Sequence, residues 1–424
     1  MESRSYDKLF NKDFTIVVAG QIISLFGNSI ICYALPLYLL NKSHSPALYG
    51  AVTACALIPM LIFAPIGGIV ADRVNKKNIL VALDFGMAGL MAVYDVLIGK
   101  VDLVTSMILV LMILYGIQGA YRPAVQASIP VLQKDENLNS ANAVINMVNN
   151  LAGMIGPVIG GVIYAAFGIF PILDVSIACF FAAAVMEIFI HIPFVKRDRT
   201  IGVFAMAKED LAEGVHFIVK VNPSVGKIGL VCGGINMVAS ALIGVGLPVI
   251  FTEYLDFKQS TGNMLLGYAD GVMALGGLVG GLTAGIIGKK LHVEKSHWFI
   301  FFSTLMLLPM AAAVKYDANP WISYFAIVIP CFFMTIFASL YNVEMMSYYQ
   351  RSTPAELLGK VMAFLTCLSM CASPIGQAIY GVLFQAFSDK IYLIILGAMF
   401  ISMLLSYFSK RAIGRIGKTE KIPQ

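Results

Sequence analysis

Stretches of about twenty predominantly apolar residues follow one another along the whole chain, and that recurrence restricts the fold more than any motif does. Twelve can be drawn, near residues 14–40, 48–71, 79–98, 103–127, 141–167, 171–192, 228–251, 264–288, 298–314, 320–347, 361–385 and 391–409. Of the 424 residues 59% are hydrophobic and only 12% are charged, against roughly 25% charged in soluble domains. Such a chain has too little polar surface to cover a water-soluble fold. The predicted class is an all-α polytopic membrane protein with twelve transmembrane helices.

An even number of spans places both termini on one side. Lys and Arg choose the side: twenty-three fall on the side of the termini and five in the opposite loops, with Arg122 inside the fourth span. Basic residues gather in cytoplasmic loops, so both termini are predicted to be cytoplasmic. The net charge of +5 follows from this bias and calls for no nucleic acid. The N-terminal MESRSYDKLFNKD leads into an apolar stretch too long for a signal peptide. The seven cysteines all lie in apolar stretches without C-x-x-C or metal spacing, and read as small hydrophobes. No phosphate-binding loop, H-E-x-x-H or G-x-S-x-G string is present, so no enzyme, cofactor or metal site is expected.

The longest connection, 193–227, divides the chain into an N-terminal bundle (1–192) and a C-terminal bundle with a basic tail (228–424). Within it Leu211, Val215, Phe217, Ile218 and Val221 predict an amphipathic helix on the inner membrane face. The two bundles repeat weakly. GIVADRVNKK at 68–77 aligns with GLTAGIIGKK at 281–290, and ENL at 136–138 with ELL at 356–358. IGPVIGGVIY at 155–164 aligns with ASPIGQAIYG at 372–381 through its proline. Paired six-helix repeats are a transporter architecture, with the substrate site between them near the midplane.

The turn at 68–80 resembles the loop signature of the major facilitator superfamily: Gly68, Ala71, Asp72, Arg73, Lys76, Lys77 and Leu80 match. Val70 and Asn75 depart, Asn75 replacing a turn glycine with another residue that tolerates positive φ. Gly156-Pro157-Val158-Ile159-Gly160-Gly161 on span 5 resembles the G-P-x-x-G-G signature of the family's exporters, with Ala152 where an upstream glycine falls. GQIISLFGNSIICYALPLYLL, YRPAVQASIPVLQKDENLNSANAV, STPAELLGKVMAF and SPIGQAIYGVL are similar to the macrolide-efflux-type branch of drug:proton antiporters. The resemblance spans about the whole chain. It implies two pseudo-repeated six-helix bundles (the major facilitator fold) and alternating access, with protons driving export of a lipophilic small molecule from a monomer in the inner or plasma membrane.

The resemblance also implies a conformational latch formed by Gly68, Asp72, Arg73, Lys76 and Lys77. Asp72 would meet the unpaired N–H groups at the start of span 11, and Arg73 or Lys77 would pair with Asp135 or Glu136. The same charges also suffice as a plain topology signal. On span 5, Gly156, Pro157, Gly160 and Gly161 predict a seam that seals one side and rocks, or simply close packing. Charges inside spans cost about 2.5–3.5 kcal/mol each at the bilayer centre. Asp84, Arg122, Asp270 and Glu344 are the coupling candidates, Arg122 also as a partner for Asp84. Asp95 and Asp174 read as headgroup or cap contacts, and Glu187 with His191 as interfacial pairing. Two positions depart from what such antiporters usually carry: Asn28 where relatives have an acid, and Tyr115 where many have arginine.

Polar cavity candidates are Gln21, Ser24, Asn28, Tyr115, Gln118, Asn146, Asn149, Asn150, Asn236, Tyr341 and Asn342. Amides and aromatics with few charges suit bulky amphiphilic or cationic organic solutes, though a lone Asn equally serves an interhelical hydrogen bond. An importer of a nutrient or metabolite, or a non-transporting scaffold, are the rival readings.

Overall fold

The computed structural model describes residues 9–192, 212–287, 293–316 and 319–413. All described secondary structure is helical, and twelve segments are long and apolar enough to cross a bilayer. We label them α1 (Lys12–Ser43), α2 (Pro46–Arg73), α3 (Lys76–Leu97), α4 (Leu103–Leu132), α5 (Leu138–Phe167) and α6 (Phe170–Ile188). The second six are α7 (Pro223–Tyr254), α8 (Gln259–Ile287), α9 (Val293–Tyr316), α10 (Pro320–Ser352), α11 (Ala355–Ala386) and α12 (Ile391–Ile413). Each contains or closely overlaps one of the twelve apolar stretches.

Short polar turns start several helices by capping. Asn11 Oδ1 accepts from Phe14 N, Asp102 Oδ2 from Thr105 N and Asn319 Oδ1 from Trp321 N, satisfying first-turn donors that have no partner in the helix. Asn75 does the same for α3, accepting from Lys77 N at 3.0 Å. Its φ of −58° is ordinary, so asparagine stands there as a cap and not as a left-handed turn residue. Gly168, at φ +78°, closes α5 in the conformation that favours glycine.

Contacts group the helices into two units. Unit 1 contains α1, α2 from Cys55, α3 to α6, and α8 as far as Gly271. Here α1 lies against α4, α5 and α6, and α3 against α4 and α6. The α2–α4 crossing is close because it is lined by glycine: a methyl at Gly119 would lie 2.6 Å from Met60 O, and one at Gly67 2.5 Å from Ala120 Cα. Unit 2 contains the first part of α2 as far as Ala54, α7, α8 from Val272, and α9 to α12. In it α7 packs on α11 and α12, and α9 on α10 and α12.

The connection before α7 is described from residue 212, so Leu211 and the first part of the expected amphipathic helix lie outside the described residues. Residues 212–216 are helical and pass into a π turn at Phe217–Val221, closed by Asn222 N on Phe217 O. Phe217 and Ile218 are buried in a cluster with Val225, Ile228, Tyr348, Tyr349 and Val361, whereas Val221 is exposed. The wider π turn moves Val221 off the face that α-helical spacing gives it. Lys360 Nζ meets Glu213 Oε2 at 2.7 Å beside this docking point. Both side chains are partly exposed, so the pair contributes little by itself.

Candidate functional site

The strongest concentration of buried polar chemistry lies in unit 1, between α1, α3, α4 and α6. Gln21, Ser24 and Asn28 are spaced three and four apart on α1, and Gln118 and Tyr121 three apart on α4, so each set shares a helix face. Toward the terminal side, two carboxylates meet this stripe. Ser24 Oγ donates to Asp84 Oδ1 at 2.8 Å. Tyr121 Oη lies 3.0 Å from Glu187 Oε1 and 3.4 Å from Asp84 Oδ2. Asp84 and Glu187 are both 0% exposed. Glu187 lies against α1 at Gly20, where a methyl would sit in ordinary contact, 3.4 Å from Glu187 Cγ. Glu187 Oε2 and Gln21 Nε2 are buried without a hydrogen-bond partner.

Farther along the same stripe the chemistry becomes neutral. Gln118 Nε2 donates to Asn28 Oδ1 at 2.5 Å and approaches Cys32 Sγ at 3.3 Å. Sequence reasoning selected Asp84, Gln21, Ser24, Asn28 and Gln118, and the structure brings them together. It adds Tyr121, Cys32 and Glu187. Arg122 is exposed and is not among Asp84's partners, because the next position on α4, Tyr121, occupies the inward face. Glu187 bonds Tyr121 and not His191, whose backbone N–H donates to Asp13 Oδ1 at 2.9 Å. The i, i+3 repeat of Gln118 and Tyr121 was a visible signal for Tyr121. Nothing local marks the meeting of Asp84 and Glu187, which lie on helices far apart in sequence.

Unit 2 holds a cavity between α7, α9, α10 and α12. Asn236 and Ser240 from the π turn Asn236–Ser240 line it, with Phe299 and Thr304 from α9 and Tyr341 and Asn342 from α10. A π turn widens the helix and often marks a functional position. Cys232 Sγ lies 3.5 Å from Tyr349 Oη and 3.8 Å from Tyr341 Oη. Ser402 on α12 reaches the cavity with its hydroxyl buried and unpartnered. Among the described residues no charged side chain lines this cavity.

The span 5 glycines divide their contacts. Gly156 and Gly160 face α1, at Ser29 and at Tyr33 and Ile30, while Gly161 faces α8, where a methyl would lie 3.1 Å from Asn263 O and 3.2 Å from Gly267 Cα. Pro157 O in turn approaches a methyl at Gly267 to 2.6 Å. Tyr33 Oη donates to Asn263 O at 2.7 Å, and Asn41 Nδ2 to Asn263 Oδ1 at 3.0 Å, locking the same crossing. In unit 2, α2 crosses α11 in like manner: a methyl at Gly50 would lie 2.5 Å from Gln377 O and 2.8 Å from Gly381 Cα. Both crossings lie toward the helix ends remote from the chain termini.

Of the other candidates, Asp270 is half-buried on α8 beside the α5 crossing. Glu344 is buried on α10, with no hydrogen bond or ion pair found among the described residues. Tyr115 is half-buried; Asn146 and Asn150 are exposed, and Asn149 donates to Ile145 O of its own helix at 2.8 Å. In the latch, Gly68, Lys76 and Lys77 are half-buried and Glu136 is exposed, whereas the side chains of Asp72, Arg73 and Asp135 lie outside the described residues.

Twelve spans in two units, with a polar stripe buried among the helices, define a polytopic carrier of small molecules. A family model described as Major Facilitator Superfamily matches residues 17–377, and the chain belongs to that family. It is a transporter and not an enzyme. It is similar to macrolide efflux protein A of Streptococcus pyogenes, 21% identical over 379 residues, covering 89% of this chain and 90% of the relative. It is also similar to the enterobactin exporter EntS of Shigella boydii serotype 4 (strain Sb227), 24% identical over 382 residues, with 87% and 84% covered. A bacterial homolog of the human lysosomal transporter Spinster, solved inward-facing and unoccupied, shares the fold with a TM-score of 0.72 at 12% identity, covering 97% of each chain.

Proposed function

We propose that the chain is a secondary active exporter of the cell membrane, with both termini cytoplasmic, that expels drug-like or other lipophilic small molecules at the expense of a proton gradient. The observation that carries this reading is the uncharged polar chemistry: the Asn28–Gln118 pair in unit 1, and Asn236, Tyr341 and Asn342 around the cavity of unit 2. Amide and phenol groups orient a bulky solute by hydrogen bonds, while the aromatic and aliphatic walls take up its apolar body. Among the described residues the unit 2 cavity has no charged lining side chain of the kind that would select small ionic metabolites. The efflux relatives agree with the direction of transport.

In this reading one monomer contains the whole pathway. The bundles 1–192 and 228–424, joined by 193–227, rock about spans 2, 5, 8 and 11, with the span 5 glycines as one seam. The basic turn from Gly68 to Lys77, with Glu136, latches the cytoplasmic side. The test is efflux of ethidium and of erythromycin from cells overexpressing the chain, with and without a protonophore. Energised efflux that collapses with the proton gradient supports the reading. Uptake in place of efflux would identify an importer, and no flux of either solute would count against a broad exporter.

A further inference from the structure

The acidic pair of unit 1 has more acceptor oxygens than the donors that reach them, since Gln21 Nε2, the other buried donor on this face, has no hydrogen-bond partner. Tyr121 carries one phenolic proton, yet both Glu187 Oε1 and Asp84 Oδ2 approach its oxygen. Ser24 supplies one donor to Asp84 Oδ1. Glu187 Oε2 has none. The surrounding elements add no positive charge: α1 presents Gly20, Gln21 and Ser24, α4 presents Tyr121, and among the described residues no Lys, Arg or His touches either carboxylate. Two ionised carboxylates at one phenol, sealed inside a membrane bundle, would repel each other without compensation. A single proton on the pair removes one charge and supplies the missing donor, because a carboxylic acid donates an O–H where a carboxylate only accepts.

The position of the pair suits exchange. Glu187 lies in the last turn of α6 and Asp84 two turns into α3, both toward the side of the termini. The same faces of α1 and α4 carry Asn28 and Gln118 only one to two turns farther along. A solute that reorients those amides therefore acts on the two helices that hold Ser24 and Tyr121 against the acids.

We infer that Asp84, Glu187 and Tyr121 form a one-proton carboxyl pair that is loaded and emptied in each transport cycle, with Glu187 and Tyr121 as members beside Asp84. Emptying breaks the O–H bond of the protonated carboxyl, passes the proton to water and leaves a carboxylate on the pair. The inference rests on the proton-coupled reading above.

The experiment uses the full chain, purified and reconstituted. Infrared spectra at pH 7 are compared between wild type and the double variant Asp84→Asn/Glu187→Gln. The expected difference is the carbonyl absorption of one protonated carboxyl group; a difference of none, or of two, overturns the one-proton pair whether or not the protein transports. In proteoliposomes, erythromycin exchange without a gradient is set against accumulation driven by a pH gradient. The ratio of driven accumulation to exchange is expected to fall at least about tenfold in Glu187→Gln. An unchanged ratio, or accumulation driven by sodium in place of protons, overturns the inference. If wild type moves no erythromycin in either assay, the exporter reading fails for that solute, while the infrared result still decides the proton site.

Discussion

Units 1 and 2 bury polar groups in similar helical surroundings but with opposite chemistry. In unit 1 the group at the centre is ionisable and short of donors: Asp84 and Glu187 converge on Tyr121. In unit 2 the groups around the cavity are neutral and weakly paired: Cys232 meets Tyr341 and Tyr349, and Ser240 Oγ donates to Asn236 Oδ1 at 3.2 Å, while Glu344, buried on α10, does not line the cavity. A site that changes its charge changes its hydration and its neighbours' packing. A site of phenols, amides and a thiol stays neutral, so it responds only to what fills it. Under the function proposed above, this contrast places the energy-coupling step in unit 1 and recognition of an organic solute in large part in unit 2.

The largest effect expected from breaking this contrast comes from matched removals of one hydroxyl. Tyr121→Phe takes away the donor that two buried carboxylates share, and hydrogen bonds to charged groups contribute about 1.5–3 kcal/mol. Gradient-driven accumulation in proteoliposomes should fall tenfold or more. Tyr341→Phe removes only a weak contact with a thiol, and its effect should stay within about threefold, appearing in the apparent KM for solute. Equal losses in the two variants would erase the distinction between the units.

The glycine crossings test where the units are alike. Gly267 lies against Pro157 and Gly161, and Gly50 against Gln377 and Gly381. Gly267→Val and Gly50→Val each force helix axes apart, and overpacking of this kind costs about 1–3 kcal/mol. Both should lower the melting temperature and reduce transport severalfold. Gly153→Ala and Gly281→Ala, with nothing within 4 Å of the added methyl, serve as controls expected to leave both readouts unchanged. A loss confined to one of the two valine variants would mean that only one crossing carries the motion.

Much of this contrast was legible in the sequence and part of it was not. Span number, order and approximate bounds followed from apolar length alone, because backbone groups in hydrocarbon must be satisfied within a helix. Gln21, Ser24 and Asn28 read one by one as polar candidates, although their helical spacing already puts them on one face. The meeting of Asp84 with Glu187 did not follow from spacing, since it depends on α3 lying against α6. Arg122 was a natural partner for Asp84 by charge, but one residue of helical rotation turns it away and puts Tyr121 inward. Asn75 was read through the glycine it replaces, whereas its cap on Lys77 N depends only on its own side chain. In α7, two π turns shift the register, so α-helical spacing could not define which residues share a face with Asn236.

Cys232 offers a sharper probe of the unit 2 cavity. Its thiol lines the cavity beside Tyr341. With the other six cysteines replaced by alanine, a membrane-permeant maleimide should label Cys232 slowly, and saturating erythromycin should slow labelling about threefold to tenfold if the solute fills the cavity. Labelling that ignores the solute would move recognition away from unit 2 and toward Asn28 and Gln118.

The smallest effect concerns a carboxylate whose setting is the reverse of the buried pair. Asp102 is fully exposed and caps α4, and the N–H of Thr105 beside it holds its carboxyl below the usual aspartate range. A folded-state value below the unfolded one means the cap's contribution is present above the ordinary aspartate pKa of about 3.9 and fades as pH falls through the folded value. Asp102→Ala should therefore lower thermal stability slightly at neutral pH, with Asp102→Asn retaining most of the cap because an amide oxygen accepts the same N–H. The gap between wild type and the alanine variant should narrow progressively as pH falls below the ordinary aspartate value of about 3.9 and the capping carboxylate takes up its proton. An exposed acid with a ready donor thus follows bulk pH with a small structural consequence. Asp84 and Glu187 instead converge on one buried phenol, and it is that convergence, rather than the burial of a carboxylate as such, on which the proposed proton site rests.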